Sequence, residues 1–417
     1  MRRKYMENSR YYTLVFAVIA SGISQGLLLS LLAIILEEKG LTASANSLNA
    51  IAIYIGVLLS SPFMERPVKM FGYKWALLLS LAMMGAGAIL FPVWENFLFW
   101  MGLRFLVGVG DSLLHFATQT WILTTTKEAE RGMKISFYGF SYGLGFGIGP
   151  LGINLYAIHP WFPFLFLFLS YLIVAYWVFR LKNEFPHPVS GGKKGDQRGG
   201  VSPPSPSRGR KALLREYKET ILWGWFALLP AFLYGYLEST LNNNFPVYAL
   251  REGITPAWIS LLLPAFIVGG LLFQIPLGIW SDRWGRKRMM VVLFLLGGMS
   301  FLLIPIADRS FFFLLFLFFI SGSFVGSSYS LGLAFAADLL PRRRIAKANI
   351  LSSLLFGVGS IIGAGVNGLM LEHSYPSLMF YFLGALYLFT GSVGFFSPSG
   401  RGDGSGGQDL SQVERNV

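Results

Sequence analysis

Long apolar runs alternate along this chain with short polar segments that carry most of its Lys and Arg. A helix that crosses a bilayer needs roughly 20 mostly apolar residues in succession. Runs of that kind fall at 11–36, 45–63, 73–92, 97–126, 134–158, 162–182, 220–250, 256–278, 288–307, 311–338, 346–371 and 376–396. The pattern predicts an all-α integral membrane protein with twelve transmembrane helices. The longest polar interruption, 183–219, contains Ser190-Gly191-Gly192-Lys193-Lys194 and Pro203-Pro204-Ser205-Pro206, the composition of a flexible basic linker. It separates an expected N-terminal six-helix bundle, 1–182, from a C-terminal one, 220–396. The Gly- and Ser-rich tail, 397–417, is expected to be disordered. Met1-Arg2-Arg3-Lys4 before an apolar run resembles a signal peptide, but Tyr11 to Leu36 is longer than a signal core. It is therefore expected to be the first span.

A shift of 213 residues brings the two halves into register. Gly40 meets Gly253, Thr42 meets Thr255, Gly56 meets Gly269, Gly72 meets Gly285 and Lys74 meets Lys287; further on, Arg131 meets Arg344, Lys134 meets Lys347 and Asn154 meets Asn367. Matches of Leu or Gly arise easily in membrane sequences, so the charged and Asn matches carry the weight. The chain is thus expected to be two six-span halves in the same orientation, with a substrate site between them near the midplane.

Composition sharpens the class. Hydrophobic residues make up 54% of the 417 positions and charged residues 13%, roughly half the charged share of a soluble domain. This excludes a soluble enzyme, a disordered chain and a nucleic-acid module. The net charge of +13 does not point to nucleic acid either, because of where it sits. With the N-terminus inside, 30 of the 34 Lys and Arg fall on the inner side, against Lys39, Arg251 and Arg309 outside and Arg104 within a span. That asymmetry predicts both termini in the cytoplasm and a place in the cytoplasmic (plasma) membrane. With no cysteine there are no disulfides, thiolate zinc sites or Cys nucleophiles, and His115, His159, His187 and His373 are too scattered to suggest a metal site.

After the eighth span stands Gly278-Ile279-Trp280-Ser281-Asp282-Arg283-Trp284-Gly285-Arg286-Lys287. Positive-inside charge explains its bases but not Gly, Asp and Gly at these spacings. The pattern G-x-x-x-D-R-x-G-R-K resembles the loop motif of the major facilitator superfamily at its second occurrence. The resemblance covers about residues 11–396. It implies that Asp282, Arg283 and Arg286, with Gly278, Gly285 and Lys287, latch helix ends and influence the switch between inward- and outward-open states. The first-half copy is worn: Glu65, Lys69, Gly72 and Lys74 stand where Gly, Asp, Gly and a base would be. In span 4, Arg104 and Gly108 are similar to the family's Arg-then-Gly pattern. In span 5, Gly145, Gly149 and Pro150 match the helix-bending G-x-x-x-G-P of its drug:proton antiporter branch, while Ile153 and Asn154 replace the final glycines. The whole arrangement also resembles the YcaD-like branch. A monomer is the family's usual state.

Burying a charge at mid-bilayer costs on the order of 3 kcal/mol, so residues retained there usually face a cavity. Arg104, Asp111 and His115, spaced by 7 and 4 residues, share a ~40° sector of span 4. Asp111 and His115 are one turn apart; Arg104 and Asp111 are separated by roughly 10 Å of helix. The row suits proton handling or a structural polar cluster. Span 7 carries Glu238, Ser239, Thr240, Asn242, Asn243 and Asn244 before Pro246, and Glu238 maps onto Gln25. The resemblance implies that spans 1, 4, 7 and 10 line the cavity, so Gln25, Gln119, Asp111, Glu238 and Asn242 are expected to converge there. The Asn run also suits an outer helix end. Trp121 and Trp258 fit either an interfacial belt or the cavity wall.

Gly139-Phe140-Ser141-Tyr142-Gly143 and Gly363-Ala364-Gly365-Val366-Asn367-Gly368 match nucleophile-elbow and dinucleotide patterns but lie inside spans, without the strand context those need. There is no Walker loop. The chain is expected not to be an enzyme and to need no cofactor beyond a proton gradient. Its expected partners are protons, the lipid bilayer and a small organic solute. The partial span-5 motif and aromatic walls favour proton-coupled efflux of an amphipathic or cationic compound. Two readings stand beside it: a proton-coupled nutrient importer, and a membrane protein that binds a lipid or partner without transport.

Overall fold

A computed structural model describes residues 2–186, 210–307, 310–373 and 375–397. Most of the expected linker, the tail from 398, His187 and Arg309 lie outside these residues. The described regular structure is helical throughout. Span 1 is Arg2–Glu38, span 2 Ala43–Ser60, span 3 Glu65–Leu90, span 4 Phe97–Thr125 and span 6 Phe162–Phe179. In the second half, span 8 is Pro256–Trp284, span 9 Arg286–Ala307, span 11 Arg342–His373 and span 12 Leu378–Gly394. Three spans are broken. Span 5 runs Glu128–Ile148, a 3-10 turn Gly149–Gly152 and Ile153–Ile158; span 7 runs Arg210–Ser239, a π turn Thr240–Asn244 and Phe245–Arg251; span 10 runs Phe311–Val325 and Ser328–Leu339. Among the described residues, ten helices are long and apolar enough to cross a membrane. Span 12 is shorter, and span 5 is cut by its Gly-Pro turn, because Pro150 cannot donate to a continuing ladder.

Span 7 begins at Arg210, inside the stretch expected to be linker. Its first turns are held to span 11, where Arg344 binds Glu219 at 2.6 Å and Lys347 pairs with Glu216.

The sequence repeat becomes a repeat of turns. Four glycines have positive φ: Gly40 (76°), Gly72 (81°), Gly253 (77°) and Gly285 (94°). They form two of the pairs related by 213 residues: Gly40 and Gly253 follow spans 1 and 7, Gly285 separates spans 8 and 9, and Gly72 breaks the stretch Glu65–Leu90 into a short helical piece, 65–71, and span 3 proper. A side chain would be strained at these angles, which explains why glycine is kept at both copies.

Helix crossings repeat as well. At the crossing of spans 1 and 5, a Cβ on Gly22 would lie 2.5 Å from the Tyr142 carbonyl oxygen, and one on Gly149 would lie 2.6 Å from that of Ile23. Gly235 meets the Phe356 carbonyl in the same way where spans 7 and 11 cross. Gly56 packs on the Phe105 carbonyl between spans 2 and 4, and Gly269 on that of Phe319 between spans 8 and 10. Small residues let backbones touch where lipid offers no hydrophobic drive for association.

We call the face with the N-terminus and the turns at Gly72 and Gly285 the basic face. The halves are tied together at the other end. Arg251 Nε binds Glu37 Oε1 at 2.6 Å, and Arg251 Nη1 donates to the Leu371 carbonyl at 2.5 Å. The Ser44 amide donates to Glu372 (3.1 Å), Asn244 to Ser47 (2.9 Å) and Asn154 to Ser260 (2.8 Å). Towards the basic face spans 5 and 8 diverge. A Cβ on Gly147 would come within 2.6 Å of Ile267, one on Gly143 within 3.2 Å of Leu271, and one on Gly139 would meet nothing within 4 Å. The space between the halves therefore opens at the basic face and closes at the opposite one.

Candidate functional site

Asp111 sits near the middle of span 4 and is almost wholly buried. The Ser21 hydroxyl of span 1 donates to its Oδ1 at 2.5 Å, and His115 Nε2 approaches the same oxygen at 3.5 Å. The other imidazole nitrogen, Nδ1, is hydrogen-bonded to the Tyr138 hydroxyl of span 5, itself 3.3 Å from Thr118 Oγ1. The His115 ring also meets Tyr142 edge-on at 4.9 Å. An acid, an imidazole and a phenol drawn from spans 4 and 5 are thus linked, with a hydroxyl of span 1 anchoring the acid. A proton can be held at several places along such a chain.

Glu238 is half-buried on span 7, two residues before its π turn begins. Asp111 and Glu238 are thus an acid from each half, the first buried and the second half-buried inside its span. Asn242 is 6% exposed, and its amide donates to the backbone carbonyl of Glu238 at 2.9 Å. That bond serves the helix at its irregular turn. π turns of this kind often mark functional sites.

Arg104 is 2% exposed, and none of its side-chain nitrogens has a hydrogen-bond partner. It makes no ion pair with Asp111, in keeping with their separation along the helix. Tyr54 of span 2 is also buried, and its hydroxyl has no hydrogen-bond partner.

Gln25 is buried one turn beyond Ser21 on span 1, and Gln119 is exposed one turn beyond His115, towards the open end. Trp121 is fully enclosed and does not line the cavity. It stacks on Tyr73 at 5.3 Å and donates from Nε1 to Glu184 at 2.8 Å. Both readings offered for it by the sequence, cavity wall and interfacial belt, are corrected by that burial.

At the basic face, Arg286 binds Asp282 at 2.8 Å and Asp338 of span 10 at 2.9 Å. Lys287 donates to the carbonyls of Ser397 and Phe395, beyond span 12. Arg283 is exposed, and Gly278 has open space where a Cβ would be.

Sequence reasoning misses Ser21, Tyr54, Tyr138, Asp338 and Glu184. The hydroxyl residues sit in apolar runs where Ser and Tyr read as packing. The four-residue spacing of Tyr138 and Tyr142, facing the His115 row of the preceding span, is the signal that the sequence offers. Glu184 falls in the stretch that reads as linker.

Comparison with known proteins agrees with this architecture. The family model described as Major Facilitator Superfamily matches residues 14–257 and 227–409. The MFS-type transporter YfkF of Bacillus subtilis (strain 168) is 37% identical over 383 residues, covering 91% of this chain and 93% of YfkF. The MFS-type transporter YcaD of Salmonella enteritidis PT4 is 19% identical over 341 residues, covering 80% and 81%. Among solved structures, a D-xylose–proton symporter matches with TM-score 0.74 at 12% identity, covering 94% of this chain and 98% of that one. A bacterial homolog of the human lysosomal transporter Spinster, inward-facing and unoccupied, matches with TM-score 0.69 at 13% identity and the same coverage. These likenesses under 25% identity bear on the fold. With the family model spanning most of the sequence and YfkF matching nearly end to end, the chain belongs to the major facilitator superfamily: it is a multi-pass membrane transporter, not an enzyme.

Proposed function

We propose that this transporter is a proton-coupled exporter of amphipathic cations in the plasma membrane, working as a monomer with both termini in the cytoplasm. The observation that carries the reading is one acid inside a span of each half, Asp111 on span 4 and Glu238 on span 7, which we place on one space open to the basic face. The excess of Lys and Arg at that face supports its being the cytoplasmic one. Two facing carboxylates disfavour double ionisation, so a proton or a cationic solute each relieves the repulsion, and the two compete. Half-buried Tyr234, Tyr329 and Phe356, with ring centroids 6.0–6.3 Å apart, add aromatic faces for a cation. Exchange of one proton for one monovalent cation moves no net charge, so it draws on the pH difference, about 1.4 kcal/mol per unit; only a second proton per cycle would add about 2.3 kcal/mol for each 100 mV.

The clamp of Arg251 on Glu37 and Leu371 holds the opposite end shut in this state and must release for outward opening. The chain has no native cysteine, so a Tyr54→Cys variant reports directly. Labelling from the outer side is expected to accelerate several-fold when Arg251→Gln is added; an unchanged rate removes the clamp from the account.

A direct test of coupling is proton release. Adding tetraphenylphosphonium to the purified protein in weakly buffered detergent is expected to acidify the solution. The Asp111→Asn, Glu238→Gln double variant is expected to release nothing. Equal release by both proteins contradicts the assignment.

One observation favours a second reading. Arg104, buried at the closed end without an acidic partner, suits a carboxylate solute entering from outside, as in proton-coupled import. Transport of an anionic solute that is lost in Arg104→Gln would support it.

A further inference from the structure

Away from the central cavity, a groove of about 570 Å³ lies between spans 1 and 6 at the basic face. Ser9 and Thr13 of span 1 line one wall, and Trp177, Arg180 and Leu181 of span 6 line the other. Tyr12 and Phe16 form its apolar rim, with the Phe16 and Trp177 rings in contact at 5.1 Å. Arg180 is exposed, its guanidinium resting on Tyr176 at 4.7 Å, and among the described residues it has no acidic partner. Lys182 is exposed two residues further on. The acid nearest in sequence, Glu184, is already engaged by Arg10 at 2.8 Å and by the Trp121 indole. The groove therefore carries uncompensated positive charge.

Its surroundings set the rest of the occupant's shape. From Arg180 back along span 6, Tyr176, Ile173, Leu172, Leu169 and Leu165 are all exposed. They recur at helical spacing and form one apolar stripe. From Arg180 to Leu165 is 15 residues, or roughly 22 Å of helix, longer than the ~15 Å hydrocarbon half of a bilayer. Tyr12 and Trp177 stand at the level where amphipathic rings mark the boundary of the membrane. A cation in a groove at headgroup depth, continuous with an apolar track of leaflet length, fits an amphiphile with an anionic head.

We propose that the groove between spans 1 and 6 binds an anionic phospholipid of the leaflet at the basic face. Its phosphodiester meets Arg180 within reach of the Ser9 hydroxyl, and an acyl chain lies along the stripe of span 6. A zwitterionic lipid gains less, because its ammonium finds no free carboxylate there among the described residues. The site is separate from the proton and solute cavity and holds whether the carrier exports or imports.

The test uses the full chain in neutral detergent, with phosphatidylglycerol and phosphatidylcholine titrated and counted by native mass spectrometry. One Arg near a membrane surface favours an anionic lipid about fivefold. The native protein is expected to bind phosphatidylglycerol about fivefold more tightly than phosphatidylcholine. Arg180→Gln should erase that margin, while Arg288→Gln, an exposed base in the turn before span 9, should keep it. Ser9→Trp, which fills the groove without changing charge, should also weaken phosphatidylglycerol binding. Inorganic phosphate and glycerol 3-phosphate at equal concentration should not displace the lipid, because they lack the acyl chain. The proposal is overturned if the native protein does not distinguish the two lipids, if Arg180→Gln matches native or Arg288→Gln loses as much, if Ser9→Trp leaves binding intact, or if phosphate alone competes.

Discussion

At the turn between spans 8 and 9, Gly285 bends the chain, Arg286 joins Asp282 to Asp338, and Lys287 reaches the carbonyls beyond span 12. At the equivalent turn between spans 2 and 3, Gly72 makes the same bend, but Tyr73 replaces the Arg and Lys69 replaces the Asp. Here the segment after span 6 folds back to do the holding. The Tyr73 amide donates to the Glu184 carbonyl at 2.9 Å, the Lys74 amide to Asn183 Oδ1 at 3.1 Å, and Asn183 Nδ2 to the Phe71 carbonyl at 2.9 Å. The Glu184 carboxylate then binds Arg10 and Trp121. Both halves fasten this turn to the end of their last span, the second through the Lys287 ammonium on the Phe395 and Ser397 carbonyls and the first through the backbone and amide of residues 183 and 184; the second half adds the exposed ionic link of Arg286 to span 10. A worn motif thus does not leave its turn unheld: in the first half, residues 183 and 184 make the contacts.

The largest effect is expected where the halves are most alike. Gly22→Leu and Gly235→Leu each drive a side chain into a facing carbonyl, at the equivalent crossings of spans 1 with 5 and 7 with 11. Each is expected to cost about 3 kcal/mol or more, seen as lost yield or a collapsed thermal transition in detergent. If one half tolerates its leucine, the equivalence of the crossings is broken.

The latches should then separate the halves. Glu184→Gln leaves Arg10, whose side chain is only 15% exposed, without its charge partner. It is expected to cost about 1–3 kcal/mol. Asp282→Asn removes a carboxylate that is 61% exposed, and is expected to cost about 0–1 kcal/mol. Chemical denaturation of the two variants side by side checks the order. A greater loss in Asp282→Asn than in Glu184→Gln would return the latch to the motif residue and undo the comparison. The smallest effect belongs to Lys69→Ala. Its pair with Glu65 is 61% exposed on both sides, so its removal should fall within about 0.5 kcal/mol of native.

Much of the architecture is legible in the amino-acid sequence alone. Twelve apolar runs, the 213-residue offset and the turn at Gly278–Lys287 each depend on local periodicity or on glycine at a fixed angle, and these are written residue by residue. The breaks are harder to place: Gly149 and Pro150 announce the one in span 5, while the π turn at Thr240–Asn244 has no marker beyond the Asn run. The candidate site is legible only where ionisable residues stand against an apolar background, as at Asp111, His115 and Glu238. Its hydroxyl partners come from other spans, and pairing across 90 residues, as between Ser21 and Asp111, leaves no local trace. Trp121 shows the reverse error. A Trp near a helix end reads as a surface anchor, yet Glu184, from a segment that reads as linker, closes over it.

The central claim is that Asp111 and Glu238 exchange protons for an exported solute. The most direct measurement uses everted vesicles holding this protein, acidified inside and followed with a pH-sensitive dye, during addition of lipophilic cations, sugars and organic acids. The account predicts that lipophilic cations make the lumen more alkaline with the native protein and have no effect with the Asp111→Asn, Glu238→Gln variant. A gradient dissipated equally by both proteins, or dissipated by organic acids and not by cations, would contradict it.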